Sequence, residues 1–185
     1  MGWVWILISG KRCSGKDCVA EMIYDELHES LSTSFALALK RECADTHKLD
    51  FNRLLNDRTY KEENRMMLIE HGRNMRAQEQ SYWVRKTYEY FNDINWPVIV
   101  SDHRFRNESG WLMEQPGVRV VSIRVTATDR TRAERGWSSN PSIDNDQSET
   151  DLDNSVSDYI IANNGSRADL LQSVQRVLLQ ISQYT

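Results

Sequence analysis

The residues with the clearest chemical meaning lie near the start of the chain, in the run Gly10-Lys11-Arg12-Cys13-Ser14-Gly15-Lys16. The pattern G-x-x-x-x-G-K follows an apolar segment and precedes a segment with helical periodicity, which is the context of a phosphate-binding loop. The glycines let backbone N–H groups turn toward an anion, and the start of the helix adds partial positive charge. We therefore predict a nucleotide site in which Lys16 contacts the β- and γ-phosphates.

Two aspartates are candidates for a magnesium site. Asp17 stands where most loops of this kind place a Ser or Thr hydroxyl on Mg²⁺, and a carboxylate also supplies the oxygen ligands that Mg²⁺ prefers. Asp102 ends an apolar run that begins at Val98, so we expect it at the edge of a parallel sheet where ligands bind. Each carboxylate could instead cap the first turn of a nearby helix.

Arginine accounts for 17 of the 23 basic residues. Its planar guanidinium matches the geometry of phosphate oxygens, so this preference in a chain of net charge −4 is consistent with a local pocket for a small polyanion. Solvated helix faces would explain part of the same preference. Arg104 closely follows Asp102 and Arg135 leads into a polar segment, so these two are the strongest candidates for stabilising charge during phosphoryl transfer.

Apolar patterns predict the elements that must position these residues. Continuous apolar runs predict strands buried on both faces, at residues 3–8, 34–37, 97–102, 118–125 and 158–162. Helical periodicity predicts helices, at residues 16–31, 60–76, 82–91 and 168–181 and in a segment ending near residue 47. This alternation predicts an α/β fold, a doubly wound parallel sheet flanked by helices, in a single domain of residues 1–185.

One polar stretch, Gly136 to Asn154, contains five carboxylates and no basic residue. We call it the acidic segment. A structureless loop of that length in a compact domain is usually a functional lid or disordered. We predict a lid over about residues 130–154, which is mobile when free and orders when both substrates are bound.

The composition excludes several classes of protein. With 27% charged and 39% hydrophobic residues the chain is typical of an ordinary globular protein, and no apolar run approaches the roughly 20 residues of a membrane helix. A net charge of −4 argues against a nucleic-acid partner. The three cysteines and four histidines show no metal-ligand spacing, so we expect a reducing compartment and histidines on the surface or at helix ends. We expect a cytosolic monomer that binds small molecules.

The segment Gly10 to Asp17 resembles the G-K-R-x-S-G-K-D loop of animal-type phosphomevalonate kinases, including the aspartate that departs from the general pattern. The likeness extends over almost the whole chain. The residues that carry it are Leu49 to Leu55, Thr59-Tyr60-Lys61-Glu62, Arg65, Gly72, Arg76, Val100-Ser101-Asp102-x-Arg104, Arg135-Gly136-Trp137, Pro141, Asp144, Ser148-Glu149, Leu152-Asp153-Asn154, Ile161, Asn163 and Gly165.

The resemblance implies a P-loop kinase fold like that of nucleoside monophosphate kinases. It also implies transfer of the γ-phosphoryl group from ATP, with Mg²⁺, to (R)-5-phosphomevalonate in the mevalonate route to isoprenoids and sterols. By matched position, the ATP loop is Gly10 to Asp17 and Asn164 contacts the nucleotide. The matched catalytic and phosphate-neutralising residues are Arg12, Lys16, Arg104 and Arg135, and the matched substrate residues are Lys40, Arg76 and Asn163.

The chain departs from the family pattern after Asp102, where paired arginines become Arg104-Phe105-Arg106. Arg106 is therefore the expected substitute for the second arginine on the substrate side. The chain ends Gln183-Tyr184-Thr185, without a peroxisomal tripeptide, which supports the expected cytosolic location. A phage-type deoxynucleoside monophosphate kinase shares Ser14-Gly15-Lys16-Asp17 and the Asp-x-Arg-Phe ending of the strand, and a nucleotide-binding protein without catalysis is a second alternative.

Overall fold

The apolar run near the N-terminus forms the middle strand of a parallel sheet. The computed structural model describes residues 3–92 and 94–182. The strands are β1 (Trp3–Gly10), β2 (Leu31–Thr33), β3 (Val98–Val100), β4 (Val118–Thr126) and β5 (Tyr159–Ala162). They are all parallel and lie in the order β2-β3-β1-β4-β5. Ile6, Leu7 and Ile8 are at most 1% exposed because helices cover both faces of the sheet.

Strand order places the phosphate-binding loop at the point where ligands bind in such sheets. β1 pairs with β3 on one side and with β4 on the other, so the chain reverses its winding direction at β1. The carboxyl ends of parallel strands on either side of such a reversal form a crevice. The loops that follow β1, β3 and β4 therefore lie at one edge of the sheet, which confirms the predicted doubly wound parallel sheet.

Chain contacts divide the protein into two compact units, the sheet unit (residues 1–33 and 94–185) and the helical unit (residues 34–93). In the sheet unit, Val19 and Ile23 of the first helix and Val174 and Val177 of the last helix join the sheet side chains in one apolar core. The helices of this unit are α1 (Lys16–Glu26), α7 (Arg106–Met113), α8 (Asp129–Glu134), α9 (Pro141–Asp144), α10 (Gln147–Thr150) and α11 (Arg167–Ser182). The single domain expected from the length stays a prediction.

The described part of the helical unit consists of five helices, α2 (Phe35–His47), α3 (Phe51–Asn56), α4 (Arg58–Glu63), α5 (Arg65–Gln78) and α6 (Tyr82–Phe91). Its small core is formed by Cys43, Ala44, Leu54 and Leu68. The helix predicted over residues 60–76 is divided at Asn64, whose side-chain amide donates to the Tyr60 carbonyl at 2.8 Å. Such a local side-chain bond offers the backbone an alternative to continuing the helix.

The predicted strand over residues 34–37 is wrong, and so is the extension of the first helix to residue 31. The strand lies at Leu31–Thr33, where the Leu31 N–H donates to the Pro97 carbonyl at 2.8 Å and the strand pairs with β3. Phe35 and Ala38 belong to α2, because their spacing places both buried side chains on one helical face.

The acidic segment contains α9 and α10, so the expectation that it is structureless is also wrong. None of the helices within residues 3–92 and 94–182 is long and apolar enough to span a bilayer. The C-terminal tripeptide, on which the cytosolic expectation drew, lies outside the described residues.

Candidate active site

The phosphate-binding loop joins β1 to α1 through two residues with left-handed backbone. Gly10 is the last residue of β1 and Lys16 is the first residue of α1. Between them, Cys13 has φ 59° and Gly15 has φ 93°, and the Ser14 N–H donates to the Lys11 carbonyl at 3.0 Å. Gly15 is the N-cap residue and supplies no capping side chain, so the first N–H groups of α1 keep their capacity to bind an anion.

Both glycines of the loop are required by packing. A Cβ atom on Gly10 would overlap the Ser14 hydroxyl and would lie 2.6 Å from the Val125 carbonyl oxygen. A Cβ atom on Gly15 would overlap the Asn163 side-chain amide, at a φ that side chains rarely adopt. The loop can therefore approach β4 and the segment after β5 only with glycine at these two positions.

Two polar groups of the loop are not used by the protein itself. Lys16 is half-buried and makes no hydrogen bond or ion pair with the residues that the structure describes. The Ser14 hydroxyl is buried, and it too has no hydrogen-bond partner within the described residues. A buried donor without a partner is unfavourable in the absence of a ligand, so both groups fit a site built for phosphate oxygens.

The loop after β3 is fastened to β1 beside this site. The His103 N–H donates to the Ile8 carbonyl at 3.1 Å, which places Asp102 next to the strand that carries the phosphate-binding loop. Asp17 lies exposed in the first turn of α1. The two carboxylates are oxygen donors of the kind that bind Mg²⁺, so the residues present fit a magnesium ion beside a bound nucleotide. Their metal role stays a prediction.

His103 and Glu108 are both buried beneath this loop. Burial lowers the pKa of His103 to about 4, so the ring is neutral, and its Nε2 lies 3.2 Å from the Phe105 carbonyl oxygen. The expectation that the histidines lie on the surface or at helix ends is therefore wrong for His103. Glu108 accepts the backbone N–H groups of Arg104 at 2.8 Å and Phe105 at 3.0 Å, and burial raises its pKa to about 8. Together these residues fix the backbone that carries Arg104.

Arg104 in this loop and Arg106 at the start of α7 each contact an acidic residue of the acidic segment. The Nη1 of Arg104 donates to the Glu149 carboxylate and to the Ser148 carbonyl. Arg106 is exposed, and its backbone N–H and Nε donate to the side chain and the carbonyl of Asp151. The Glu149 side chain is only 7% exposed, so its ion pair with Arg104 is the better shielded of the two contacts.

Two basic residues of the phosphate-binding loop, Lys11 and Arg12, contact the acidic segment in the same way. Lys11 donates to the Asp153 carboxylate and to the Glu149 carbonyl, both at 2.6 Å. Arg12 pairs with Asp144 at 3.1 Å. The Asp144 pKa is held below its usual range by the Asn140 backbone N–H first, and also by the Trp137 indole and the Arg12 charge. The acidic segment is thus fastened to the cations of this loop by its own carboxylates.

Arg135 and Asn163 lock the end of the phosphate-binding loop. The Arg135 guanidinium donates to the Ser14 carbonyl at 3.1 Å and to the Asn163 backbone and side-chain oxygens at 3.0 and 3.1 Å. The Asn163 amide donates to the same Ser14 carbonyl at 2.9 Å. Asn164 accepts the Thr128 N–H at 2.7 Å through its side chain. In this structure all three residues brace the loops around the nucleotide site.

Comparison with known proteins shows the family to which the chain belongs. The sequence profile of the family described as phosphomevalonate kinase matches residues 8–117. The chain is also 36% identical over 164 residues to the phosphomevalonate kinase of Drosophila melanogaster, an alignment that covers 85% of this chain and 87% of that relative. The chain belongs to the phosphomevalonate kinase family. It is therefore a kinase, an enzyme that transfers a phosphoryl group.

Solved structures agree on the fold. A gluconokinase from Sinorhizobium meliloti 1021 superposes with a TM-score of 0.54 at 18% identity, covering 100% of this chain and 97% of that chain. Dephospho-CoA kinase from Campylobacter jejuni superposes with a TM-score of 0.53 at 16% identity, covering 97% of each chain. At these identities the likeness concerns the fold alone, and it confirms the predicted P-loop kinase architecture.

The predicted site residues of this kinase fall in both units. Those of the phosphate-binding loop and of the loops after β3 and β4 meet at one edge of the sheet, together with Asn163 and Asn164 after β5. Lys40 and Arg76 belong instead to α2 and α5 of the helical unit, where each already has an interaction with the protein. Their substrate-binding role stays a prediction.

Arg132 contacts the phosphate-binding loop, a structural role that sequence reasoning did not predict for it. It is only 8% exposed, its Nε donates to the Arg12 carbonyl at 2.8 Å, and its guanidinium lies 4.0 Å from the centre of the Trp137 ring. Arg132 therefore holds the backbone of the phosphate-binding loop at Arg12. A tryptophan five residues after an arginine in a polar stretch was a signal for a cation–π contact.

Proposed function

We propose that this kinase transfers the γ-phosphoryl group of ATP to (R)-5-phosphomevalonate and releases ADP and 5-diphosphomevalonate. The observation that carries the proposal is Lys16, an ammonium at the start of α1 that has no partner among the described residues, in a chain of the phosphomevalonate kinase family. In the reaction, a phosphate oxygen of the acceptor forms a bond to the γ-phosphorus. The bond from that phosphorus to the β–γ bridging oxygen breaks, and its electron pair leaves with ADP.

The acceptor determines what the site has to do. A phosphate monoester carries a charge of about −1.5 to −2 at neutral pH, so it is already a nucleophile and needs no general base. The difficulty is the repulsion between two polyanions, which positively charged groups and positioning overcome. Lys16 and the N–H groups at the start of α1 would bind the β- and γ-phosphates, and Arg12, Arg104 and Arg135 would neutralise charge on the transferred group.

Substrate and metal contacts complete the proposed assignment. Lys40, Arg76, Arg106 and Asn163 would bind phosphomevalonate, and Asn164 would contact the nucleotide. Asp17 and Asp102 would hold Mg²⁺, directly or through water, and the bound ion would supply positive charge that offsets the charge of the nucleotide phosphates. We also propose that the enzyme works as a monomer in the cytosol, where free thiols such as Cys13, Cys18 and Cys43 persist.

An assay of ADP release by a coupled enzyme tests the substrate. With ATP and Mg²⁺, phosphomevalonate should be turned over at least about 10²-fold more efficiently, in kcat/KM, than any of a panel of nucleoside and deoxynucleoside monophosphates. Phosphomevalonate without ATP, and ATP without acceptor, are the controls. A preference for a nucleoside monophosphate would replace this proposal with the alternative reading, and turnover of no acceptor would leave a nucleotide-binding protein without catalysis.

The predicted lid gives an expectation for dynamics. The contacts between the acidic segment and the loop cations include ion pairs that are partly exposed, and such pairs contribute little stability each. We therefore expect backbone amides in residues 136–154 to exchange faster with deuterium in the free enzyme than with an ATP analogue and phosphomevalonate bound. Closure would exclude water, which otherwise competes as acceptor. The core of α11 serves as the internal control, and equal protection of the segment in both states would show a fixed loop.

The contact between Glu149 and Arg104 gives a second expectation. Glu149 holds one terminal nitrogen of the guanidinium, while its backbone carbonyl holds Lys11. Glu149→Gln should lower kcat/KM for the acceptor by about tenfold, because small displacements of a positioning group are costly in rate. The matched control is Glu134→Gln. The Glu134 carboxylate pairs with the exposed Arg130, so its replacement should leave kcat/KM unchanged. A rise in acceptor affinity for Glu149→Gln would mean that Glu149 competes with phosphate.

A further inference from the structure

The fold brings together three potential metal ligands, none of which belongs to the phosphate-binding loop. Cys43 and His47 lie on α2 and His71 lies on α5, and one ligand atom from each residue falls within 4.8 Å of the other two. Cys43 and His47 are four residues apart, which places both side chains on one face of α2. All three residues belong to the helical unit, so their proximity depends on the packing of α5 against α2 alone.

His71 is held in a defined orientation by its neighbours. Its Nε2 lies 3.3 Å from a Glu42 carboxylate oxygen, and the other oxygen of Glu42 accepts the Tyr82 hydroxyl at 2.7 Å. The His71 ring also contacts the rings of His47 and Trp83, at centroid distances of 5.5 and 5.9 Å. With Nε2–H donated to Glu42, the lone pair of His71 is on Nδ1. A carboxylate that orients the second nitrogen of an imidazole is the usual support of a metal-bound histidine.

We propose that Cys43, His47 and His71 bind a zinc ion, with Glu42 as the supporting carboxylate and the fourth position open to water. A thiolate with two imidazoles is a donor set that selects Zn²⁺ and similar transition metals over Mg²⁺, which prefers oxygen ligands. Zinc bonds of about 2.3 Å to sulfur and 2.0–2.1 Å to nitrogen require ligand atoms that lie this near to one another. Rotation of the exposed His47 side chain would complete the site around Cys43, which is fully buried in the small core.

The site would link α2 to α5 inside the helical unit. An ion bound only by the folded protein stabilises it, and a bridge between two helices adds most where the apolar core is small, as it is here. This role is independent of the kinase reaction, for which the proposed Mg²⁺ ligands are carboxylates of the sheet unit. The two metal sites therefore differ both in ligand chemistry and in place.

Titration of the metal-free protein with Co²⁺, carried out in the presence of excess Mg²⁺, tests the proposal. We expect one equivalent of Co²⁺ to give a thiolate-to-cobalt charge-transfer band together with visible bands of tetrahedral intensity. One equivalent of Zn²⁺ should abolish both and raise the Tm. Saturation at one equivalent in micromolar protein supports the site, whereas a spectrum of hydrated Co²⁺ overturns it.

Variants assign the ligands. Cys43→Ser should remove the charge-transfer band, and His47→Ala, at an exposed position, should weaken Co²⁺ binding by at least about tenfold with the far-UV CD spectrum unchanged. Glu42→Gln should weaken binding by about tenfold while leaving the band in place. Cys18→Ser and His28→Ala, in the sheet unit, are the matched controls and should bind as the unaltered protein does. Equal Co²⁺ affinity in the His47→Ala variant and the controls would overturn the proposal.

Discussion

Replacing Lys16 with methionine is expected to abolish measurable phosphoryl transfer, a loss of at least about 10²–10³-fold in kcat. Methionine preserves the length and the apolar stem of lysine while removing the ammonium charge. That charge has no partner within the described residues, so it is available to the transferring phosphate and contributes little to folding. The Tm of the metal-free, nucleotide-free variant should therefore stay within a few degrees of that of the unaltered enzyme.

Lys86→Met provides the matched control for this substitution. Lys86 lies on α6 and pairs with Glu89 at 3.8 Å, so the same change of side chain removes a surface charge without reaching the phosphate-binding loop. Turnover of the control should be unchanged. If Lys16→Met kept near-normal turnover, the assignment of the loop to the nucleotide phosphates would have to be abandoned, whatever the acceptor is.

The features predicted correctly from sequence are those set by local pattern. Residues 3–8 are a continuous apolar run followed by glycine, and nothing distant is needed to recognise a buried strand that ends in a phosphate-binding loop. The last helix was equally clear, since its apolar residues recur at helical spacing over 16 residues. The doubly wound parallel sheet followed because strands that alternate with helices imply right-handed crossovers.

The errors occurred where long-range contacts decide the local structure. β2 has only three residues, and its position depends on pairing with β3, more than 60 residues later in the chain. α9 and α10 are four residues each, too short for a periodic signal, and Pro141 and Asp146 at their starts were the only local indications. Short elements of this kind are stable only in their tertiary setting.

The candidate site shows the same division. The phosphate-binding loop is contiguous in sequence and could be recognised directly, whereas the contact of Arg104 with Glu149 joins residues 45 apart. The role of Glu108 could be recognised from the sequence only in part. A glutamate at the third position of a helix often accepts the N–H groups before the helix, so the spacing Phe105 to Glu108 could have indicated its role. Burial, which sets its pKa, is not visible in the sequence.

Arg104→Ala is expected to lower kcat/KM for the acceptor by about 10²-fold, and Arg106→Ala by a smaller factor, about three- to tenfold. Arg104 is bound through Nη1 by Glu149 and the Ser148 carbonyl, which leaves Nε and Nη2 without a hydrogen bond within the described residues. A guanidinium held at one end can present its other nitrogens to a phosphate with little loss of side-chain entropy. Arg106 is exposed, and its Nε is already occupied by the Asp151 carbonyl.

The comparison is made by steady-state kinetics on purified variants, with Arg130→Ala as control. Arg130 is 87% exposed and pairs only with Glu134 among the residues described, so its removal should leave both kcat and KM unchanged. The two test variants need separate kcat and KM values, because a group that neutralises charge on the transferred phosphoryl acts mainly on kcat. If Arg106→Ala proves more damaging than Arg104→Ala, then Arg106, which follows Phe105, contacts the phosphate instead of Arg104. The departure from the family pattern would then have moved the catalytic arginine rather than replaced a secondary one.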